Sequence, residues 1–410
     1  MKKTQLKRFA RLVVEMGVNV QKGQRVEVRC EPEALDFATL VVEECYKAGA
    51  EKVEVIFEST ELSRLHIKYR SEKVLGKVEK WEEERLKYRL KYLPASIYLL
   101  SEDPDGLVGI DQEKNSRAAQ SRYKVIKPYR DKMDNKYPWC IVSVPGKAWA
   151  KKMFPDLPPK KAVEKLWEAI LYTSRADGPD PVATWREHNR ALHARCNYLN
   201  SLNIESLSYK SKNGTDFKVG LFPEARFCAG SESTISGQVF NPNIPSEEVF
   251  ITPKKGEAEG IVYSSKPLSY RGELIENFSV RFEKGKAVEV HAEKNEELLK
   301  LMVSMDEGAS FLGECALVPY DSPISNSGLI FYNTLFDENA SCHLALGDGY
   351  TSTVENFENL TLEECRALGV NESMIHEDFM IGTEDMSIVA HTRDGKDVQI
   401  FKDGNWAFEV

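Results

Sequence analysis

RVEVRCEPEALDFATLVVEECYKAGAEKVEVIF, from Arg25 to Phe57, decides the architecture of the first part of the chain. Arg25 to Cys30 alternates polar with apolar residues, the two-residue period of a strand. From about Glu33 to Lys47 the apolar residues fall at helical spacing, and Gly49 marks the end of that helix. Lys52 to Phe57 returns to strand alternation. Strand, helix and strand in immediate succession make a βαβ unit, and its two strands must run parallel.

Working outward, Leu6 to Met16 reads as an amphipathic helix and Gly23 as a turn before the first strand. Lys2, Lys3, Lys7 and Arg8 precede an apolar stretch, but Arg11 and Glu15 interrupt it before a signal-peptide core forms. Downstream, the spacing predicts strands at Ser96–Leu100 and Trp139–Val144, with helices at Glu72–Tyr92, Gln112–Ile126 and Pro159–Tyr172. Doubly wound sheets often bind nucleotides where the strand order reverses. Here neither GxGxxG nor GxxxxGK[ST] follows any strand, so this half reads as scaffold or as a wall that shapes the substrate site.

The turn-forming cluster Asp177-Gly178-Pro179-Asp180-Pro181 announces a change of texture, with one more helix running to about Leu199. We expect an α/β domain over residues 1–185 and an α+β domain over 186–410. In the second, short strands alternate with turns: Ser206–Ser211, Phe217–Leu221, Glu248–Thr252 and Gly260–Ser264, then a meander from Leu274 to Glu293. One helix, about Asn295–Met305, follows, and a further strand is expected at Leu329–Leu335. The fold class is therefore an α/β N-terminal domain with a parallel sheet, followed by a mainly antiparallel α+β domain.

Composition excludes several classes. The 410 residues suffice for two cores, and 64 acidic against 55 basic residues give a formal charge of −9, with the basic residues scattered. Phosphate binding needs clustered Lys and Arg, so no nucleic-acid partner is expected. No run of roughly 18 apolar residues, the length that spans a membrane, is present. The eight cysteines stand far apart without a CxxC pair, which points to reduced thiols and a cytoplasmic location. Cys315 and Cys342 read as small buried hydrophobes.

Four segments of the second half carry chemistry. In NIPSEEVFITP (Asn243–Pro253), Glu247 and Glu248 open an apolar strand, so one can face a metal while the other faces solvent or an attacking water. In FLGECALVP (Phe311–Pro319), Glu314 sits in a run that wants to be buried, where a carboxylate is costly unless paired or metal-bound. FDENASCHLALGDGY (Phe336–Tyr350) groups Glu338, His343 and Tyr350 around a glycine-bearing turn, and HEDFMIG (His376–Gly382) puts His376 and Asp378 on one face of a strand. Taken singly, each has a bland reading as a surface or strand-end polar residue. Together they offer enough oxygen and imidazole ligands for two ions bridged by a carboxylate, a set that suits zinc, cobalt or manganese better than calcium. The remaining histidines, His66, His188, His193, His291 and His391, read as ordinary satisfied residues.

FARLVVEMGVNVQKGQRVEV near the start, together with NPNIPSEEVFITP, LGECALVP, NTLFDENASCHLALG and HEDFMIG, resembles the thermophilic metallo-aminopeptidase family, the aminopeptidase T group, over essentially the whole chain. The resemblance implies that Glu248, Glu314, His343, His376 and Asp378 hold two divalent ions (zinc, cobalt, manganese or magnesium), with Glu338 a further carboxylate. It implies that Tyr350 is the active-site tyrosine. One departure is visible: where many members carry GxAY, this chain reads Gly347-Asp348-Gly349-Tyr350.

The expected activity is release of N-terminal amino acids from short peptides by metal-activated water. Tyr350 would stabilise the oxyanion, and Glu247 or Glu314 would shuttle the proton. A homodimer is implied by the same resemblance. Two other readings fit the sequence: a non-catalytic peptide-binding homologue, and a dinuclear hydrolase of another amide or ester.

Overall fold

The computed structural model describes residues 2–410. The chain divides into two compact units, one comprising Met1–His188 and Ser231–Ser246, the other Asn189–Gly230 and Glu247–Val410.

The first unit is built on a five-stranded, wholly parallel sheet in the order Lys52–Phe57, Arg25–Cys30, Ala95–Leu100, Trp139–Ser143, Asn243–Ile244. Its last strand comes from the Ser231–Ser246 segment. Alternation in Arg25–Cys30 gives the sheet two unlike faces. Val26, Val28 and Cys30 are buried, and the helix Leu35–Lys47 packs on these strands through Phe37, Ala38 and Val41. Phe37 in turn packs against the tilted rings of Phe9 and Trp167, each with ring centroids 5.4 Å away. On the other face Glu27 is paired with Arg89 at 3.1 Å and Arg29 at 3.6 Å, and Arg25 lies over the Tyr92 ring at 3.7 Å.

Three details differ from the sequence expectation here. The helix expected over Glu72–Tyr92 is two helices, Glu72–Leu75 and Lys80–Tyr92. Gly76 packs closely under Ala118 and Ser121, and a Glu79–Glu82 capping box restarts the second helix. An additional helix, Thr60–Tyr69, starts at Ser59, whose hydroxyl accepts from Leu62 N. The helix expected to stop at Ile126 runs from Gln112 to Met133 through Pro128. Pro128 lacks an N–H for the Lys124 carbonyl, a single lost bond on an exposed turn of a 22-residue helix.

The second unit pairs a nine-stranded antiparallel sheet with a five-stranded one. The larger runs Leu268–Tyr270, Glu273–Glu283, Ala258–Tyr263, Asp216–Gly220, Ile204–Lys210, Ser387–Thr392, Asp397–Lys402 and Asn405–Trp406, with Lys286–Lys294 also paired to Glu273–Glu283. The smaller runs Cys228–Ala229, Val249–Ile251, Leu312–Leu317, His343–Gly347, His376–Met380. Its strands are buried throughout the middle, and Phe379 meets Phe278 of the larger sheet with ring centroids 5.7 Å apart. Cys315, Leu344 and Phe379 therefore face an apolar interior, leaving the alternate positions on the other face.

The strand expected at Leu329–Leu335 does not form; a helical turn, Thr334–Asp337, takes its end. The buried Asp337 carboxylate accepts from Phe331 N at 2.8 Å and Asn333 N at 3.1 Å, curling the segment. Phe331 and Phe336 stack at 4.5 Å, so their apolar surface is buried locally without strand partners.

Candidate metal centre

Register places the site residues on one face of the five-stranded sheet. Glu314 is opposite Ala345, and Ala345 is opposite Asp378, so the two carboxylates flank one small residue across three strands. His343 is opposite Ala316, two residues beyond Glu314, and His376 is opposite Gly347. All four share parity and hence a face. Glu248 joins them from the start of the Val249–Ile251 strand, whose Val249 is opposite Leu317. Small residues at 316, 345 and 347 leave the space that larger side chains would fill.

Two groups of ligand atoms converge, Glu248 with Glu314 and His343, and Glu314 with His376 and Asp378; within each group the atoms lie within 4.8 Å of one another. Glu314 belongs to both. The six sequence-predicted ligands are thus five that meet and one that stands beside them. Glu338 is buried, and its carboxyl feels the charges of Asp378, Glu248 and Glu314, yet it is in neither converging group. Glu247, expected to face solvent or water if Glu248 faced metal, is as buried as Glu248; its N–H donates to Asn339 Oδ1 at 2.7 Å.

The histidines are oriented as ligands. His376 Nδ1 lies 2.7 Å from the Asp348 carbonyl oxygen, which only accepts, so Nδ1 carries the proton. Its Nε2 faces Tyr350 Oη at 3.0 Å, Glu314 Oε2 at 3.1 Å and Asp378 Oδ1 at 3.4 Å. His343 repeats the pattern, with Nδ1 3.3 Å from the Ser341 carbonyl and Nε2 3.1 Å from Glu248 Oε2. A backbone carbonyl fixing one ring nitrogen while the other is aimed at anionic groups is the supporting arrangement of metal-binding histidines.

Electrostatics point the same way. Burial pushes the Glu314 carboxyl up to about 7, with Asp378 and Glu248 adding to the effect and His376 opposing it. Burial raises Glu338 well above the carboxylate range, reinforced by Asp378, Glu248 and Glu314. Burial alone would lower His343, but its bond to Glu248 and the surrounding carboxylates bring it up to about 9. His376 is likewise raised well above its ordinary value by Asp378 and Glu314, against desolvation. Burial would raise Asp378 too, but His376 and His343 hold it low. The buried Asp378 Oδ1 makes no well-formed hydrogen bond. Without a cation the cluster limits its charge by holding protons on Glu314, Glu338 and both imidazoles, and a divalent cation removes both the repulsion and the need for those protons. The residues present fit a metal.

Tyr350 closes the cluster. Its ring packs edge-on against Phe250 at 5.5 Å, and burial plus the neighbouring carboxylates keep its hydroxyl protonated well above the ordinary tyrosine range. The cysteines beside the site take no part: none of the eight is in a disulfide, and Cys342, pushed up to about 12 by burial, donates to the Val318 carbonyl. His188, His291 and His391 are satisfied elsewhere, by the Ser246 carbonyl, by Glu289 and Glu296, and by Ser208 and Asp397. The supporting carbonyls of Ser341 and Asp348 had no signal in the sequence, because any residue type supplies a carbonyl.

Comparison with known proteins agrees with this geometry. The chain is 42% identical to aminopeptidase AmpS of Bacillus subtilis over 405 residues, covering 98% of each chain. It is 40% identical to aminopeptidase T of Thermus thermophilus over 405 residues, again 98% of each. The solved structure of wild-type AmpT from Thermus thermophilus superposes with a TM-score of 0.88 at 38% identity, covering 99% of this chain and 100% of that one. The thermophilic metalloprotease (M29) family matches residues 2–406. With ligand sets, buried charge and near full-length similarity all in agreement, the chain belongs to the thermophilic metalloprotease family.

Proposed function

We propose that the chain is a metallo-aminopeptidase that uses two divalent ions, sharing Glu314, to release the N-terminal residue of short peptides. The observation that carries this reading is the pair of converging ligand groups with Glu314 in common. Glu248, Glu314 and His343 would hold one ion, and Glu314, His376 and Asp378 the other, with Glu338 an additional carboxylate. Bound divalent ions supply Lewis-acid polarisation of a carbonyl and water acidic enough to furnish hydroxide near neutrality. Nitrogen and oxygen donors suit zinc, cobalt, manganese or magnesium.

The chain's own groups do the rest. Tyr350, held protonated, donates a hydrogen bond to the scissile carbonyl oxygen as negative charge develops there. The free α-amine of the peptide would be held by the second ion or by a nearby carboxylate, so the first peptide bond is the one within reach. Proton transfer falls to Glu247 or Glu314. The two are separable: Glu314→Gln removes a ligand common to both ions, whereas Glu247→Gln leaves both triads intact. The names of the relatives, aminopeptidase AmpS and aminopeptidase T, support the exopeptidase assignment. A cytoplasmic homodimer completes the reading, and eight cysteines outside any disulfide fit that location.

Release of amino acids from short peptides, measured with and without chelator and after adding back cobalt, zinc or manganese, tests it. Loss and recovery of turnover are expected, together with inactivity toward N-acetylated peptides. Chelator-insensitive turnover would refute the metal role, and equal turnover of blocked substrates would make the protein a hydrolase of another specificity.

A further inference from the structure

We infer that Thr252 is a positioning residue for Tyr350 and that Gly349 provides the space in which it acts; this rests on the active-site role proposed above for Tyr350. Thr252 is fully buried, immediately after the Val249–Ile251 strand that Glu248 opens. Its Oγ1 accepts the Tyr350 N–H at 2.9 Å and lies 3.3 Å from the Tyr350 carbonyl oxygen, to which it donates. Thr353 Oγ1 donates to the same carbonyl at 2.7 Å. One threonine hydroxyl therefore grips both backbone polar groups of the tyrosine.

With the backbone fixed and Phe250 against the ring, the Tyr350 hydroxyl is delivered to 3.0 Å from His376 Nε2. Hydrogen-bond catalysis depends on such placement: a displacement of about 1 Å costs roughly 10²-fold in rate.

Gly349 explains how Thr252 comes so close. A Cβ at position 349 would lie 2.8 Å from Thr252 Cγ2 and 3.1 Å from Val370 Cγ1. The backbone there is outside the left-handed region, so conformation does not demand glycine; space does. Gly349 N also donates to the Asn371 carbonyl at 3.0 Å, which fixes the turn against the threonine methyl. The glycine that departs from the GxAY pattern is thus paired sterically with Thr252. An alanine would push the threonine off the tyrosine backbone.

The test is steady-state kinetics of the metal-loaded enzyme on a short unblocked peptide, with metal content and Tm recorded for each variant. Tyr350→Phe sets the full loss, roughly 10²–10³-fold in kcat. Thr252→Val, which keeps the shape and removes the hydroxyl, should lower kcat about tenfold or more at near-constant KM and full metal content. In the Tyr350→Phe background it should cost nothing further, since both changes act on the same hydrogen bond. Thr252→Ser, which keeps the hydroxyl, should turn over nearly as the parent does.

Gly349→Ala should lose kcat to a similar degree as Thr252→Val. Adding Thr252→Ser to it removes the clashing methyl, keeps the hydroxyl and restores turnover. Should Thr252→Val fail to fold, this rescue decides the matter alone. Parental kcat in Thr252→Val, loss of metal in that variant, an additive loss on top of Tyr350→Phe, or failure of the double variant to recover would each overturn the inference. Normal turnover of Tyr350→Phe would instead remove the role of Tyr350 itself, and the inference with it.

Discussion

Each unit of the molecule buries a glutamate in the middle of a strand, and they neutralise it in opposite ways. Glu27, 2% exposed in the parallel sheet, is flanked by Arg89 and Arg29. Glu314, 3% exposed in the five-stranded sheet, has His376 as its ion-pair partner and other carboxylates as neighbours. The first arrangement is matched in charge within the chain: two guanidinium groups face one carboxylate. The second is not, because buried carboxylates that repel one another are destabilising until a cation arrives. A buried charge matched by the chain marks a structural element, whereas one left unmatched among imidazoles marks a binding site.

That contrast can be broken experimentally, most severely at the shared ligand. Glu314→Gln should drop peptide turnover to background and lose both ions. In chelated protein at a pH above about 7, where Glu314 is ionised, the same change should leave Tm unchanged or raised, because it removes a repelling charge. A Tm drop in chelated Glu314→Gln would mean that Glu314 is structural like Glu27. The opposite behaviour is expected in the first unit. Arg89→Met leaves Glu27 without its closest partner and should destabilise by about 3–5 kcal/mol in chemical denaturation, while metal content and kcat of the folded protein stay at the parental level.

Metal itself should stabilise the second unit. At a free ion concentration 100 times Kd, the expected gain is about 2.7 kcal/mol, read as a concentration-dependent rise in Tm. That gain should disappear in Glu314→Gln and persist in Arg89→Met.

A smaller effect concerns pH. Without metal, His343 keeps its proton up to about 9 and Glu314 up to about 7. Binding expels these protons, so apparent affinity falls as pH falls, by about tenfold per pH unit for each proton displaced. Titrations between pH 8 and pH 6 should show this weakening, and pH-independent affinity would mean that these groups are not ligands.

Much of this organisation was legible in the sequence, for reasons that differ by element. Alternation in Arg25–Cys30 and Lys52–Phe57 announced the parallel pair because one face is apolar and the other charged. Glu314 was conspicuous as a charge inside an apolar run, and His376 with Asp378 by their spacing of two. What escaped is what tertiary structure decides. The apolar stretch Leu329–Leu335 looked like a strand, but Asp337 ties its backbone into a curl. The Asn243–Ile244 strand is too short to carry a period. The histidine tautomers depend on the carbonyls of Ser341 and Asp348, and Tyr350 is held by a threonine hydroxyl 98 residues away. A sequence can name the groups that bear chemistry more readily than the neutral groups that aim them.

The most direct test of the central claim is a count of divalent ions per chain by elemental analysis of purified protein, in the parent and in Asp378→Asn and His343→Ala. Two ions per chain in the parent, with each substitution reducing occupancy and peptide turnover together, is the predicted result. Peptide turnover undiminished in protein carrying no divalent metal would contradict it.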